Sequence, residues 1–353
     1  MNGLSDLTIV IPSYKRQKYL LRQILFWKDY DVNPLILDGS PTAAQELLDC
    51  AGDHCRYIHL PISIEERFGI AAQMIETKYA AMLSDDELFL PSSLKTIVQF
   101  LDNNLSYSAC KGNALGFQLD STGKTCGQQA YQDLKDYDLN DEDPRIRMNR
   151  HMSPYVMASL WAVHRSEVLK ICLNLGAEGP KYSTAAAFEA QVSLVTAWCG
   201  KVKVVNELMW LRSFENENVW WSFGNLSLAR WFNHAQYASE VDQFICDLAS
   251  ATSERKEDFK VALAGYVSEC KLVDSRLGFT RLLARRLPDK VKVLLRVAVS
   301  RFGLRKDVAK IPLIDSAQEL AATGVDVDIK ELVAVCQFIE HHNQSISSLE
   351  GDV

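Results

Sequence analysis

LTIVIPSYKRQKYLLRQILFWKDYDVNPLILDGSP, residues 7 to 41, decides the fold. Leu7-Thr8-Ile9-Val10-Ile11 is an unbroken, β-branched apolar run, the pattern of a strand buried on both faces, and Pro12-Ser13-Tyr14 stops it. From Lys18 the spacing of Leu20, Leu21, Ile24, Leu25 and Trp27 is helical. Pro34-Leu35-Ile36-Leu37 then reads as a second strand, closed by the turn residues Asp38-Gly39-Ser40-Pro41. Strand, helix and strand in that order make a parallel pair joined by a right-handed crossover. Sheets built from such units bind ligands at the carboxyl ends of their strands.

A second stretch, AAMLSDDELFLP from Ala80 to Pro91, carries a short apolar run into Ser84, Asp85, Asp86 and Glu87. Three adjacent carboxylates repel one another, so they belong either in open solvent or beside a cation. A solvated turn accounts for them by itself. The parallel sheet, however, brings three polar strand ends to one edge: Pro12 to Arg16, Asp38 to Ser40, and Ser84 to Glu87. Carboxylates crowded there suit a hard divalent cation.

In these segments the chain resembles the family-2 glycosyltransferases, inverting enzymes with the nucleotide-sugar-binding fold called GT-A. Thr8 to Arg16 is similar to the family's opening strand and loop, Asp38-Gly39-Ser40 to its second strand end, and Ser84 to Glu87 with Pro91 to its metal-binding DxD segment. The first DxD position is taken here by Leu83 or Ser84, depending on alignment. Downstream, Phe188-Glu189-Ala190-Gln191 opens a segment expected to be an amphipathic helix ending at Cys199-Gly200. The strand Lys201 to Val205 and then Leu211-Arg212 follow. The resemblance spans roughly residues 6 to 215. It implies an α/β GT-A (Rossmann-like) fold, a mostly parallel sheet flanked by helices.

It also implies roles. The family's base is usually an aspartate some eleven residues ahead of the glycine, and Glu189 stands at that spacing from Gly200. Asp85 and Asp86 would hold Mg²⁺ or Mn²⁺ at the diphosphate, the cation acting as Lewis acid and template. Pro12, Ser13, Tyr14, Arg16 and Asp85 would contact the donor, a UDP-sugar by default. Asp38 would bond the nucleotide's base or ribose, or else cap its own Asx turn. Arg212 would bind the diphosphate bidentately, whereas Arg67 and Lys15 are loop cations that either meet phosphate or are simply solvated. Glu189 would take the acceptor hydroxyl's proton, and a single base with direct displacement inverts the anomeric centre.

Composition narrows the class. The 353 residues divide into a catalytic domain, 1–223, and an α-helical C-terminal region, 224–353. A net charge of −7 argues against general nucleic-acid binding. Nine scattered cysteines, with no signal peptide ahead of Leu7 and no apolar run of the roughly 20 residues that span a bilayer, point to a reduced cytoplasm. Between residues 276 and 306 a basic, apolar-interleaved stretch suits either peripheral contact with the inner face of a membrane or a helix pair packed on the catalytic domain. The acidic run Asp133 to Asp143 reads as a solvated connection. Trp220, Trp221, Phe223 and Trp231 either line an acceptor cleft or cement the helices to the sheet. His151 and His164 receive no role. The acceptor expected is a glycan or lipid-linked hydroxyl. Two rivals stand beside transfer: a sugar-nucleotide nucleotidyltransferase, which would open with a glycine-rich loop absent from Pro12 to Arg16, and a degenerate domain serving as a scaffold.

Overall fold

A computed structural model describes residues 3–178, 182–215, 226–268 and 311–350. The stretch 276–306 and Trp220, Trp221 and Phe223 lie outside the described residues.

The opening unit forms as its pattern dictates. β1 (Leu7–Ser13) is buried along nearly its whole length, α1 (Gln17–Trp27) follows, and β2 (Asn33–Asp38) lies parallel to β1 with Ser13 opposite Asp38. After α2 (Gln45–Ala51), β3 (Arg56–His59) extends the parallel ladder, with Asp38 opposite His59. α3 (Ile64–Met74) starts at a capping box in which the Ser63 hydroxyl accepts from the Glu66 amide and Glu66 reaches back to the Ser63 amide. β4 (Tyr79–Met82) pairs with the other edge of β1, so the acidic run leaves the sheet beside Ser13 and Asp38.

Past a two-residue β5 (Leu88–Phe89), Pro91 opens α4 (Pro91–Asn103), where a missing amide costs nothing. The long β6 (Tyr107–Leu119) turns back through β7 (Thr125–Ala130). β8 (Asp138–Leu139) pairs with the later strand β10, and α5 (Pro144–Met152) is capped by Asp143. β9 (Val163–Arg165) runs antiparallel between β4 and β6, and α6 (Ser166–Glu178) and α7 (Ala186–Cys199) lead into β10 (Lys201–Ser213). The pairings make β1, β2, β3, β4, β6 and β10 all run the same way, a mostly parallel sheet with helices packed on it.

One local expectation changes. α7 is not amphipathic: Ala187 and every residue from Ala190 to Ala197 are buried, because other helices and the sheet cover it on all sides. The acidic run from Asp133 to Asp143 is solvated, with Asp133, Asp136 and Glu142 exposed, and it is also tied down, since Asp138 accepts from Lys203 at 2.9 Å, Asp141 pairs with Arg150, and Asp143 caps α5. The last helix runs from Ile329 to Glu350, and the His342 ring bonds the Lys18 carbonyl at 3.0 Å. C-terminal helices from Leu228 onward are joined by a short strand at Ile311 that pairs with β7. Trp231 is fully buried between Tyr182 and Phe244 and cements those helices. Among the described residues no helix is long and apolar enough to cross a membrane.

Candidate active site

The floor of the site is the paired ends of β1 and β2. Asp38 is fully buried; one carboxylate oxygen accepts from the Ser40 amide (2.9 Å) and hydroxyl (2.5 Å), the other from the Tyr57 hydroxyl (2.6 Å). The carboxylate thus completes its own Asx turn and ties β2 to β3. Arg67, reaching in from α3, donates to the Ser13 and Leu37 carbonyls at 2.6 and 2.8 Å and is itself buried. Its guanidinium lies where a side chain on residue 39 would be: a Cβ on Gly39 would sit 2.5 Å from the Arg67 Cζ, so any larger residue there would have to displace the buried guanidinium. As folded, then, Asp38 and Arg67 build the floor and are turned inward to protein partners rather than outward to a ligand.

Above that floor the chain turns sharply, with Lys15 in the left-handed region (φ 57°), and leaves Tyr14 about half exposed. Arg16, one-fifth exposed, donates from one terminal nitrogen to Asp85 (2.6 Å) and from the other to Asp86 (2.8 Å). The Ser13 hydroxyl takes the remaining Asp85 oxygen at 2.6 Å. α1 clamps the same loop from behind: the Gln23 side-chain amide donates to the Asp85 and Glu87 carbonyls at 3.0 and 2.6 Å, and Arg22 to the Asp86 carbonyl at 2.6 Å. Burial drives the Asp85 carboxyl up to about 7 against the pull of Arg16.

This arrangement bears on the expected cation. Mg²⁺ and Mn²⁺ need several open oxygen ligands, yet both Asp85 oxygens and one from Asp86 already accept protein donors, and Asp85 is only 2% exposed. Among the described residues no group of three or more His, Cys, Asp or Glu converges to hold a metal. The pair as folded does not fit a divalent cation; Arg16 stands where it was expected.

Glu87 points the other way, into the protein, where the Trp210 indole donates to it at 2.8 Å and burial, then the neighbouring Asp86, raises its carboxyl to about 8. Two residues beyond Trp210, Arg212 packs its guanidinium over the rings of Tyr131 (5.0 Å), Phe214 (5.4 Å) and Trp210 (6.0 Å). A cation held by π faces keeps its N–H groups for an anion.

Glu189 lies in the first turn of α7, half-buried, with Oε1 accepting from the Tyr155 hydroxyl at 2.7 Å. Burial raises its carboxyl, while the Tyr155 hydrogen bond and the charge of Lys111 act in the opposite sense. The glycine that follows its helix is required by contact: a Cβ on Gly200 would lie 2.8 Å from the Ser108 amide nitrogen and 2.9 Å from the Ser106 carbonyl oxygen. Gly200 therefore lets α7 end against the start of β6.

Lys111 received no role from the sequence. It sits inside β6 with its side chain fully buried, and burial lowers its ammonium to about 7 even though Glu87 and Glu189 pull it upward. The signal was there in SACKGNALGF, a lysine inside an apolar strand, since lysine is almost never fully buried without partners. His151 and His164 are both buried, and burial lowers each to about 4.

No protein-family model matches the chain, and no curated protein matches it. Among solved structures it is similar to S. aureus TarS 1-349 in complex with UDP-GlcNAc, at 13% identity and a TM-score of 0.50, over 96% of this chain and 92% of that one. S. aureus TarS 1-349 matches at 14% identity and a TM-score of 0.44, over 77% of this chain and 91% of that one. S. aureus TarS matches at 14% identity and a TM-score of 0.42, over 71% of this chain and 44% of that one, so the chain spans less than half of that structure's length. The likeness is one of fold.

Proposed function

We propose that the chain transfers a sugar from a nucleotide donor, a UDP-sugar by default, to a hydroxyl of a glycan or lipid-linked acceptor, with inversion. Residues 1–223 are taken as the transferase part. The observation that carries the reading is that two polar constellations share one sheet edge: the donor-side loops of Ser13, Arg16 and Asp85 to Glu87, and the Glu189 carboxylate, with Glu87 and Glu189 both acting on the same buried Lys111. A structure of similar fold holding UDP-GlcNAc supports the UDP default.

In the proposed reaction the acceptor oxygen attacks the anomeric carbon as the bond to the diphosphate oxygen breaks. The bonding pair leaves with the diphosphate, and the acceptor proton passes to Glu189. Tyr155 fixes one Glu189 oxygen, so the other is the one offered to the acceptor. A carboxyl raised by burial is the better proton acceptor. Arg212 and the Tyr14 to Arg16 turn meet the charge and the ring of the nucleotide diphosphate.

Replacing Glu189 by Gln is expected to leave UDP-GlcNAc binding within twofold while lowering turnover at least ~10²-fold, as removal of a positioned base does. Binding by calorimetry with release of UDP as the activity readout tests this, and undiminished turnover would remove Glu189 from the mechanism.

A further inference from the structure

Lys111 joins the two halves of the site. Its Nζ donates to the Met157 and Leu160 carbonyls at 3.0 and 2.9 Å and stands 4.2 Å from the centre of the Trp210 ring. Among the described residues it forms no ion pair. A fully buried ammonium is costly, and the acceptors it does have all belong to one neighbourhood: the segment 155–161 and the strand β10.

We propose that Lys111 is a positioning residue for Glu189: its ammonium pins the 155–161 segment so that Tyr155 meets the carboxylate, and as a cation it favours that carboxylate's charged form. The inference rests on the reading of Glu189 as the base.

Geometry supplies the first half. Tyr155 begins the segment and donates to Glu189, while Met157 and Leu160 carry the two carbonyls that Lys111 binds. Immediately beyond, Trp161 holds φ at 63°, a conformation unfavourable for a bulky side chain, which persists only where neighbours impose it. Its ring lies 6.2 Å from that of Trp210, the ring Lys111 stands over. The segment is thus held at both carbonyls by Lys111, at Ser159 by the His151 ring (2.8 Å), and at Tyr155 by Glu189.

Charge supplies the second half. The influences on Glu189 are burial, the Tyr155 hydroxyl and Lys111, and Lys111 is the cation among them. The groups facing Lys111 are Glu87, Glu189, Arg212 and Asp133, and its charge also acts on His164. A cation near a carboxylate favours the ionised form, so removing it raises the carboxyl. A base must be ionised to accept a proton, so the acidic limb of activity then moves to higher pH.

The test compares wild type, Lys111→Met and Lys111→Arg as full chains, reading UDP release from UDP-GlcNAc with water as acceptor from pH 5 to 9. For Lys111→Met the acidic limb is expected to rise by about one pH unit, with UDP affinity unchanged; Lys111→Arg keeps the wild-type limb. A uniform loss with an unmoved limb, or a matching loss of UDP affinity, overturns the proposal. If Glu189→Gln itself leaves the wild-type profile intact, it is the reading of Glu189 that fails. Hydrogen exchange of the 155–161 amides on the same proteins needs no turnover: about tenfold faster exchange is expected in Lys111→Met than in Lys111→Arg, and equal exchange overturns the positioning role. Should Lys111→Met not fold, Tyr155→Phe cuts the last link alone, and an acidic limb that stays put in that variant overturns the proposal.

Discussion

Glu87 carries a carboxyl that the fold holds at about 8, far above its ordinary 4.5, because burial and Asp86 both disfavour its charge. Below pH 4.5 the group is neutral in both states. As pH rises toward 8 the unfolded chain releases this proton more readily than the folded one, so the contribution to stability is lost through that window. Glu87→Gln, which keeps an acceptor for the Trp210 indole, therefore gains melting temperature relative to wild type as pH rises from 5 to 8; a difference that does not change with pH would contradict the buried carboxyl. Arg16 makes a second prediction. Because its guanidinium already bridges Asp85 and Asp86, UDP affinity measured by calorimetry is expected to be the same within twofold in EDTA and in Mn²⁺. A tenfold tightening by Mn²⁺ would return the pair to a cation. The run Asp85 to Glu87 was legible from the sequence as lying at a strand end, but its partner was not, since sequence spacing says nothing about which of several basic side chains reaches it.

α1 shows how an element serves a site it does not line. One face packs Leu20, Ile24 and Trp27 into the core, as their spacing requires. Gln23 on the same helix donates to two carbonyls of the acidic loop and accepts from the Trp27 indole at 2.9 Å. Gln23→Ala leaves those buried carbonyls unpaired, for which about 2–3 kcal/mol of stability is the expected loss, with weakened UDP binding. Denaturant unfolding measures the first, and a loss under 0.5 kcal/mol would show the clamp to be dispensable. The helix was plain from its apolar spacing, whereas the clamp was hidden, because Gln23 in a helix reads as an ordinary polar position until the loop it holds is in place. α7 illustrates the reverse: the resemblance singled out Glu189 by its distance from Gly200, yet the helix around it is buried nearly all round, which periodicity alone did not show.

Over the whole molecule, the C-terminal helices are part of the same packed body as the sheet. Phe338, on the helix Ile329–Glu350, sets its ring 5.4 Å from Phe26 of α1, and Ile339 beside it is fully buried. Ile339→Ala is expected to cost about 2–5 kcal/mol and to lower a single, cooperative melting transition; a separate early transition would show that the helix unfolds on its own. The sequence alone determined the parallel strand-helix-strand opening and the acidic strand end. These follow from local pattern, the burial of apolar runs and the turn residues that end them. Tertiary structure alone decided that Asp38 and Arg67 face inward, that Arg16 takes the aspartate pair, and that Lys111 is buried against the Met157 and Leu160 carbonyls and the Trp210 ring. Each of these depends on which side chains, distant in sequence, meet in a space closed to water, where an unpaired charge is costly and partners are chosen by proximity in three dimensions.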